Sequence, residues 1–201
     1  ENVCKQINME LNRKERMYVF LQLCEFVNED FVSSEKDTKI LITVAKNFNL
    51  TDEEYNDITN FIFDKEAKSL NPEKTLIIEN RKSSEDSEGA WFGWNKPNET
   101  VKSKNIFNKN IKGKIVVLHI NSINMYIFRY FGNESLNIDG IAIIENVFFV
   151  LNPNSAISGK LLEPIYYSEI NSNFSRFDEK HKVVFHAKKI KYRSLQSAND
   201  V

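Results

Sequence analysis

Glu25, Glu29, Asp30, Glu35 and Asp37 crowd the junction between two predicted helices, and carboxylates gathered this way suit a hard divalent cation. Their spacing does not match an EF-hand loop and no glycine permits its sharp turn, so a solvated, well-capped junction accounts for them better. Cys4 and Cys24 are the only cysteines, and His119, His181 and His186 are scattered without CxxC or HxxxH spacing, which argues against a structural zinc site. Cys24 falls on an apolar helical stripe, where a reduced, buried thiol is expected. His119 stands between Leu118 and Ile120 in a strand pattern. That is the place of a hydrogen-bonded structural histidine rather than a base, and its Ser and Asp neighbours form no triad.

Two Gly-Lys pairs invite a phosphate-loop reading, and both fail it. GxxxxGK[ST] needs a glycine five residues earlier and a hydroxyl next, but Gly159–Lys160 has Asn154 and Leu161, and Gly113–Lys114 has Asn108 and Ile115. Neither a backbone cradle nor a magnesium ligand is encoded. Arg81 with Ser83 and Ser84 is the nearest basic-hydroxyl cluster, and Trp91 and Trp94 bring aromatic surface to the same region. These five residues are the candidate partner-binding positions, against the simpler alternatives of a solvated loop and of core or lid aromatics.

The elements that must position these residues change character near Asn71 and Pro72. Before that point the apolar period is helical: Met17, Phe20, Leu21, Cys24, Val27 and Phe31 make one stripe, and Leu41, Val44, Ala45 and Phe48 a second, with Ser33 or Ser34 as its N-cap. Asn49 and Leu50 turn the chain. Thr51 with Glu54 reads as a capping box opening a third helix whose stripe is Tyr55, Ile58, Phe61 and Ile62. After Pro72 the pattern is that of strands. Thr75 to Ile78, KIVVLHI from Lys114 and MYIFRYFG from Met125 are β-branched and aromatic runs, and a polar bend at Asn121, Ser122 and Asn124 separates the last two. Asp139 and Gly140 suit a tight hairpin, NVFFVL continues the meander to Pro153, and a loop spans 154–159. PIYYSEI is a further strand, and HKVVFHAKKIKYR ends the pattern. With no helix-length pattern between strands, an antiparallel sandwich or barrel is expected.

Residues 1–70 carry 9 basic and 14 acidic side chains and 71–201 carry 18 and 14, giving net charges of −5 and +4. The asymmetry favours docking of one half on the other, while +4 spread over the larger half is too dilute for a nucleic-acid surface. No apolar run is long enough to span a membrane, and sequons at Asn49, Asn98, Asn133 and Asn173 are those an Asn-rich chain generates by chance.

The stretch ERMYVFLQLCEFVNEDFVSSEKDTKILITVAKNFNLTDEEYNDITNFI resembles the TerB-like family of small helical domains in the order of apolar helix, acidic junction, second helix and Leu-Thr-x-x-Glu-Tyr entry. The family often has Asp-Gly at the junction, whereas this chain reads Asn28, Glu29, Asp30, Phe31. Residues 113–170 are similar to forkhead-associated (FHA) domains, through LNIDG and NVFFVLNPNSAIS, with Asn154 in place of a glycine. The Gly-Arg and Ser-x-x-His pattern that reads phosphate in that family is missing. PIYYSEI followed by VVFHAKKIKYR resembles the approach to the first ATPase strand in certain bacterial ABC-transporter proteins.

Together these resemblances imply an α+β chain of two modules: a small all-α bundle over 1–70, an antiparallel β-sandwich over 71–178, and over 179–201 the first strand of an absent ATPase domain or a terminal strand. They imply a non-catalytic regulatory or scaffolding region at the cytoplasmic membrane face. It would bind no cofactor itself, ATP and Mg²⁺ belonging to the missing domain. Its partners would be the rest of its own polypeptide and other proteins, with no nucleic acid, and with the membrane reached only through absent segments. A free-standing phosphopeptide module and an acidic metal-binding helical protein are the alternatives.

Overall fold

The computed structural model describes residues 2–29, 35–64, 69–80 and 104–175. Four helices come first: α1 (Asn2–Glu10), α2 (Arg13–Glu29), α3 (Glu35–Asn47) and α4 (Asp52–Phe63). The stripes read from the sequence are the buried faces: Met17, Phe20, Leu21 and Cys24 on α2, Leu41 and Ala45 on α3, and Ile58, Phe61 and Ile62 on α4. Phe31, Ser33 and Ser34 lie outside the described residues. The sequence reading did not anticipate α1, which packs through Cys4 and Ile7, a contact too narrow to announce itself as a stripe. Between α3 and α4 the chain turns on Asn49, whose φ of 58° is a left-handed conformation that asparagine tolerates.

Among the described residues nine strands follow: β1 (Thr75–Glu79), β2 (Lys104–Phe107), β3 (Lys114–Ile120), β4 (Met125–Phe131), β5 (Leu136–Ile138), β6 (Ile141–Ala142), β7 (Phe148–Leu151), β8 (Ala156–Gly159) and β9 (Ile165–Tyr166). They form a five-stranded sheet in the order β2-β1-β3-β4-β7 and a four-stranded sheet in the order β6-β5-β8-β9. The larger sheet is the middle layer of the molecule. Val116, Leu118 and Ile120 of β3 and Met125 and Ile127 of β4 share one core with the helices. The alternate residues Ile115, Val117, Tyr126, Phe128 and Tyr130 face the second sheet, in a core with Leu136, Ile138, Ile157 and Ile165. Burial on both faces is why these two strands read as unbroken apolar runs instead of alternating.

Several expectations need correction. The strand pairs are antiparallel except β1 and β2, which run parallel, a pairing that no tight hairpin can join. The Asp139–Gly140 turn does join β5 to β6, with positive φ at both residues. The meander then breaks, because β7 leaves that sheet and pairs with β4 in the other. Residues 154–159 contain β8, a central strand that pairs with both β5 and β9. Its Ala, Ser and Gly side chains resemble loop composition, yet Ile157 is fully buried. PIYYSEI supplies only the two residues of β9 before the chain enters a fifth helix, α5 (Tyr167–Phe174). Tyr167, Ile170 and Phe174 have helical spacing and pack on the inter-sheet core, which a strand would not allow.

Candidate functional site

The helical layer meets the β layers mainly through α4, and the polar groups at its N-terminal end form the most elaborate side-chain cluster among the described residues. Thr51 caps the helix: its hydroxyl accepts from the Glu54 amide at 3.1 Å, and its own amide donates to the Glu54 carboxylate at 2.8 Å. That carboxylate does more than close the box. Arg13, from the first turn of α2, donates to both its oxygens at 2.7 and 2.9 Å, and the Ser122 hydroxyl donates to it from the β3–β4 turn. Burial pushes the Glu54 pKa up, but the bonds from Ser122, Thr51 and Arg13 outweigh it and leave the carboxyl below its ordinary value.

One turn along, the Lys74 ammonium reaches from the approach to β1 and donates to Glu53 at 2.6 Å and Asp57 at 2.5 Å. Burial draws this lysine's pKa down, and the two carboxylates more than reverse it. Lys74 and Asp57 are nearly covered, at 14 and 16% exposure, whereas Glu53 stands 68% open. These groups line a cleft of about 670 Å³ between the layers, whose far wall is His119, Ser122, Lys104 and Phe174.

His119 is held on several sides. Its ring stacks on Tyr126, with centroids 4.3 Å apart and 9° between planes, and meets Phe174 of α5 at 5.1 Å. Its Nε2 lies 3.0 Å from Asn124 Oδ1, and its backbone amide donates to the Lys74 carbonyl at 2.8 Å. Asn124 takes up that position because φ of 46° ends the single 3₁₀ turn Asn121–Ile123 in the left-handed region. Tyr126 in turn donates to Asn171 Oδ1 at 2.8 Å. Burial and the neighbouring Tyr167 push its phenol up to about 12.

The C-terminal end of α4 is fastened differently. Arg129, in the middle of β4 and 1% exposed, donates to the carbonyls of Phe61 at 2.5 Å and Ile62 at 2.8 Å. These belong to the last turn of the helix, where carbonyls lack partners within the helix and a cation is favoured by the dipole. The other edge of the guanidinium donates to the Asn146 carbonyl at 3.1 and 2.9 Å and to its side-chain oxygen. Asn146 can turn its carbonyl inward because its φ is 61°. Burial lowers the Arg129 pKa against the pull of Glu25 and Asp64, as expected where charge is held mainly by neutral dipoles.

Chemically, this arrangement suits adhesion more than catalysis. A serine nucleophile needs a base, and the carboxylate beside Ser122 is acidified and already bonded to an arginine. Burial lifts the Cys24 thiol to about 12, far from the thiolate a reactive cysteine requires. Among the described residues no three His, Cys, Asp or Glu side chains are grouped to hold a metal ion, and no helix is long and apolar enough to cross a membrane. Of the acidic junction, Glu35 and Asp37 sit in the first turn of α3, and Asp30 lies outside the described residues.

Arg81, Ser83, Ser84, Trp91 and Trp94, the partner-binding candidates of the sequence reading, also lie outside the described residues. His119 is hydrogen-bonded and half-buried, as its place in a strand suggested. Sequence reasoning missed Arg129, Lys74 and Ser122. A signal for the first existed, since a lone arginine inside MYIFRYFG, a run with apolar neighbours on both faces, needs a partner in the core. Comparison with family models, with curated proteins and with solved structures finds no match.

Proposed function

We propose that this chain is a non-catalytic coupling region of a bacterial ABC-transporter ATP-binding protein, joining the ATPase to protein partners at the cytoplasmic face of the membrane. The observation that carries the coupling role is Arg129, which ties the last turn of α4 to β4 and the Asn146 turn through one buried guanidinium. A displacement imposed on the sheet is thereby felt by the helices. The polar cleft supports the non-catalytic part of the reading, because Glu54 and Lys74 are engaged in fastening the layers together. The link to an ATPase rests on the resemblance of residues 164–170 and 183–193 to the approach of such a domain.

Two measurements test this proposal. Calorimetry of residues 1–201 with ATP and Mg²⁺ is expected to show no binding in the micromolar range, and micromolar affinity would overturn the reading. The downstream coding sequence is expected to hold GxxxxGK[ST] within a few tens of residues. A gene that closes near Val201 would remove the transporter.

A further inference from the structure

Helix α5 is the last element described, and its C-terminal turn rests on a small cluster of rings and cations at the rim of the cleft. Phe174 meets His119 at 5.1 Å and Tyr126 at 5.4 Å. The Lys104 ammonium, from the first residue of β2, sits 4.3 Å from the Phe174 ring centre and also donates to the Glu73 carbonyl. Asn171 is tied to Tyr126. The end of α5 is therefore held by the His119 and Tyr126 rings, by the Tyr126–Asn171 hydrogen bond and by one cation over a ring, with His119 common to the aromatic cluster and to the cleft.

We propose that His119 is a protonation-controlled latch: neutral, it holds the end of α5 on the β3–β4 hairpin, and charged, it releases that turn. The charged groups facing it explain the sense. From the approach to β1 comes Lys74, with Glu53 and Asp57 of α4 behind it and bonded to its ammonium; from β2 comes Lys104. The β3–β4 turn and β4 present the neutral Asn124 and Tyr126, and the one charged residue of α5, Glu169, is exposed. Lys104, and Lys74 with its charge balanced by Glu53 and Asp57, therefore flank a half-buried imidazole whose hydrogen-bond partner among the described residues is the neutral Asn124. Burial disfavours its charged form, the bond to Asn124 partly offsets this, and Lys104 and Lys74 add to the penalty, so its pKa lies below the ordinary 6.5. The Tyr126 and Phe174 rings attract an imidazolium and offset part of this penalty. An imidazolium placed here repels Lys104 from the Phe174 ring and weakens the seat of the helix end.

The sign follows from linkage. A histidine with a lowered folded pKa is neutral at pH 7 and leaves the latch closed; as pH falls below about 6.5, protonation favours the open form. Each unit separating the closed and open pKa values corresponds to about a tenfold change in opening. The test is amide hydrogen exchange of Asn171 to Ser175 in the 201-residue chain at pH 7.5 and 5.0, corrected for intrinsic rates, beside an NMR titration of His119. Protection is expected to fall at the lower pH as His119 titrates below 6.5. His119→Phe keeps the ring stack and is expected to abolish the pH dependence while retaining protection. Lys104→Met is expected to move the His119 midpoint upward, which serves if the phenylalanine variant fails to fold. A His119 midpoint at or above 6.5, protection indifferent to pH, or a pH dependence that survives in His119→Phe would each overturn the latch.

Discussion

At its N-terminal end α4 is joined to its neighbours by ionised side chains at the rim of the cleft: Glu54 with Arg13 of α2 and Ser122 of the β3–β4 turn, and Glu53 and Asp57 with Lys74. At its C-terminal end a single buried guanidinium grips backbone carbonyls. The first fastening sets charge against charge, where solvent and salt screen the attraction and part of it merely replaces hydration. The second sets a charge against dipoles for which no other partner is found among the described residues, so its loss strips a bond from several buried groups at once. One helix thus carries two attachments that differ in sensitivity to salt, pH and mutation.

Removing the dry attachment should do the most damage. Arg129→Met strips hydrogen bonds from the carbonyls of Phe61, Ile62 and Asn146 and is expected to cost about 3 kcal/mol or more in urea unfolding, at roughly 1–3 kcal/mol for each buried group left unpaired. A loss below about 1 kcal/mol would mean that the two ends are not different in kind. Lys74→Met should cost about 1 kcal/mol, and its effect should shrink in 1 M salt, where the screening length is about 3 Å. The Arg129 effect should survive the same salt, and equal responses would dissolve the contrast. Ser122→Ala is expected to cost less still, about 0.5 kcal/mol, because Glu54 keeps Arg13 and Thr51.

The smallest effect is a change in the shape of the stability profile with pH. Glu54, held below its ordinary value near 4.5, contributes stability that is present above that value and lost as pH falls through its folded pKa. Lys74, held above 10.5, contributes stability that is present below that value and lost as pH rises through its folded pKa. Glu54→Gln should flatten the acid limb and Lys74→Met the alkaline limb. Arg129→Met should lower the whole curve without bending either.

Local features of this structure were legible because their causes are local. The box of Thr51 and Glu54, the turn of Asp139 and Gly140 and the three helical stripes each lie within a few residues of sequence, where geometry alone fixes their meaning. The α+β class and the order of helices before strands came from the same signals. The seam was not legible. Glu54 meets Ser122 across 68 residues, and no periodicity reports which hydroxyl will arrive beside which carboxylate. The strand order failed for a related reason: β7 is set by Phe148 and Val150 packing toward the helices and Leu151 toward the second sheet, a choice made by layers and not by neighbours. In α5, Tyr167, Ile170 and Phe174 have high strand propensity, and packing against the inter-sheet core overrode it.

Arg129 also imposes an order on the protein's birth. The last carbonyls of α4 are synthesised 68 and 67 residues before the side chain that satisfies them. At about 5–20 residues per second, α4 exists for several seconds before that arginine is added to the growing chain. Throughout that interval the carbonyls of Phe61 and Ile62 are without their arginine, and the arrival of β4 brings it.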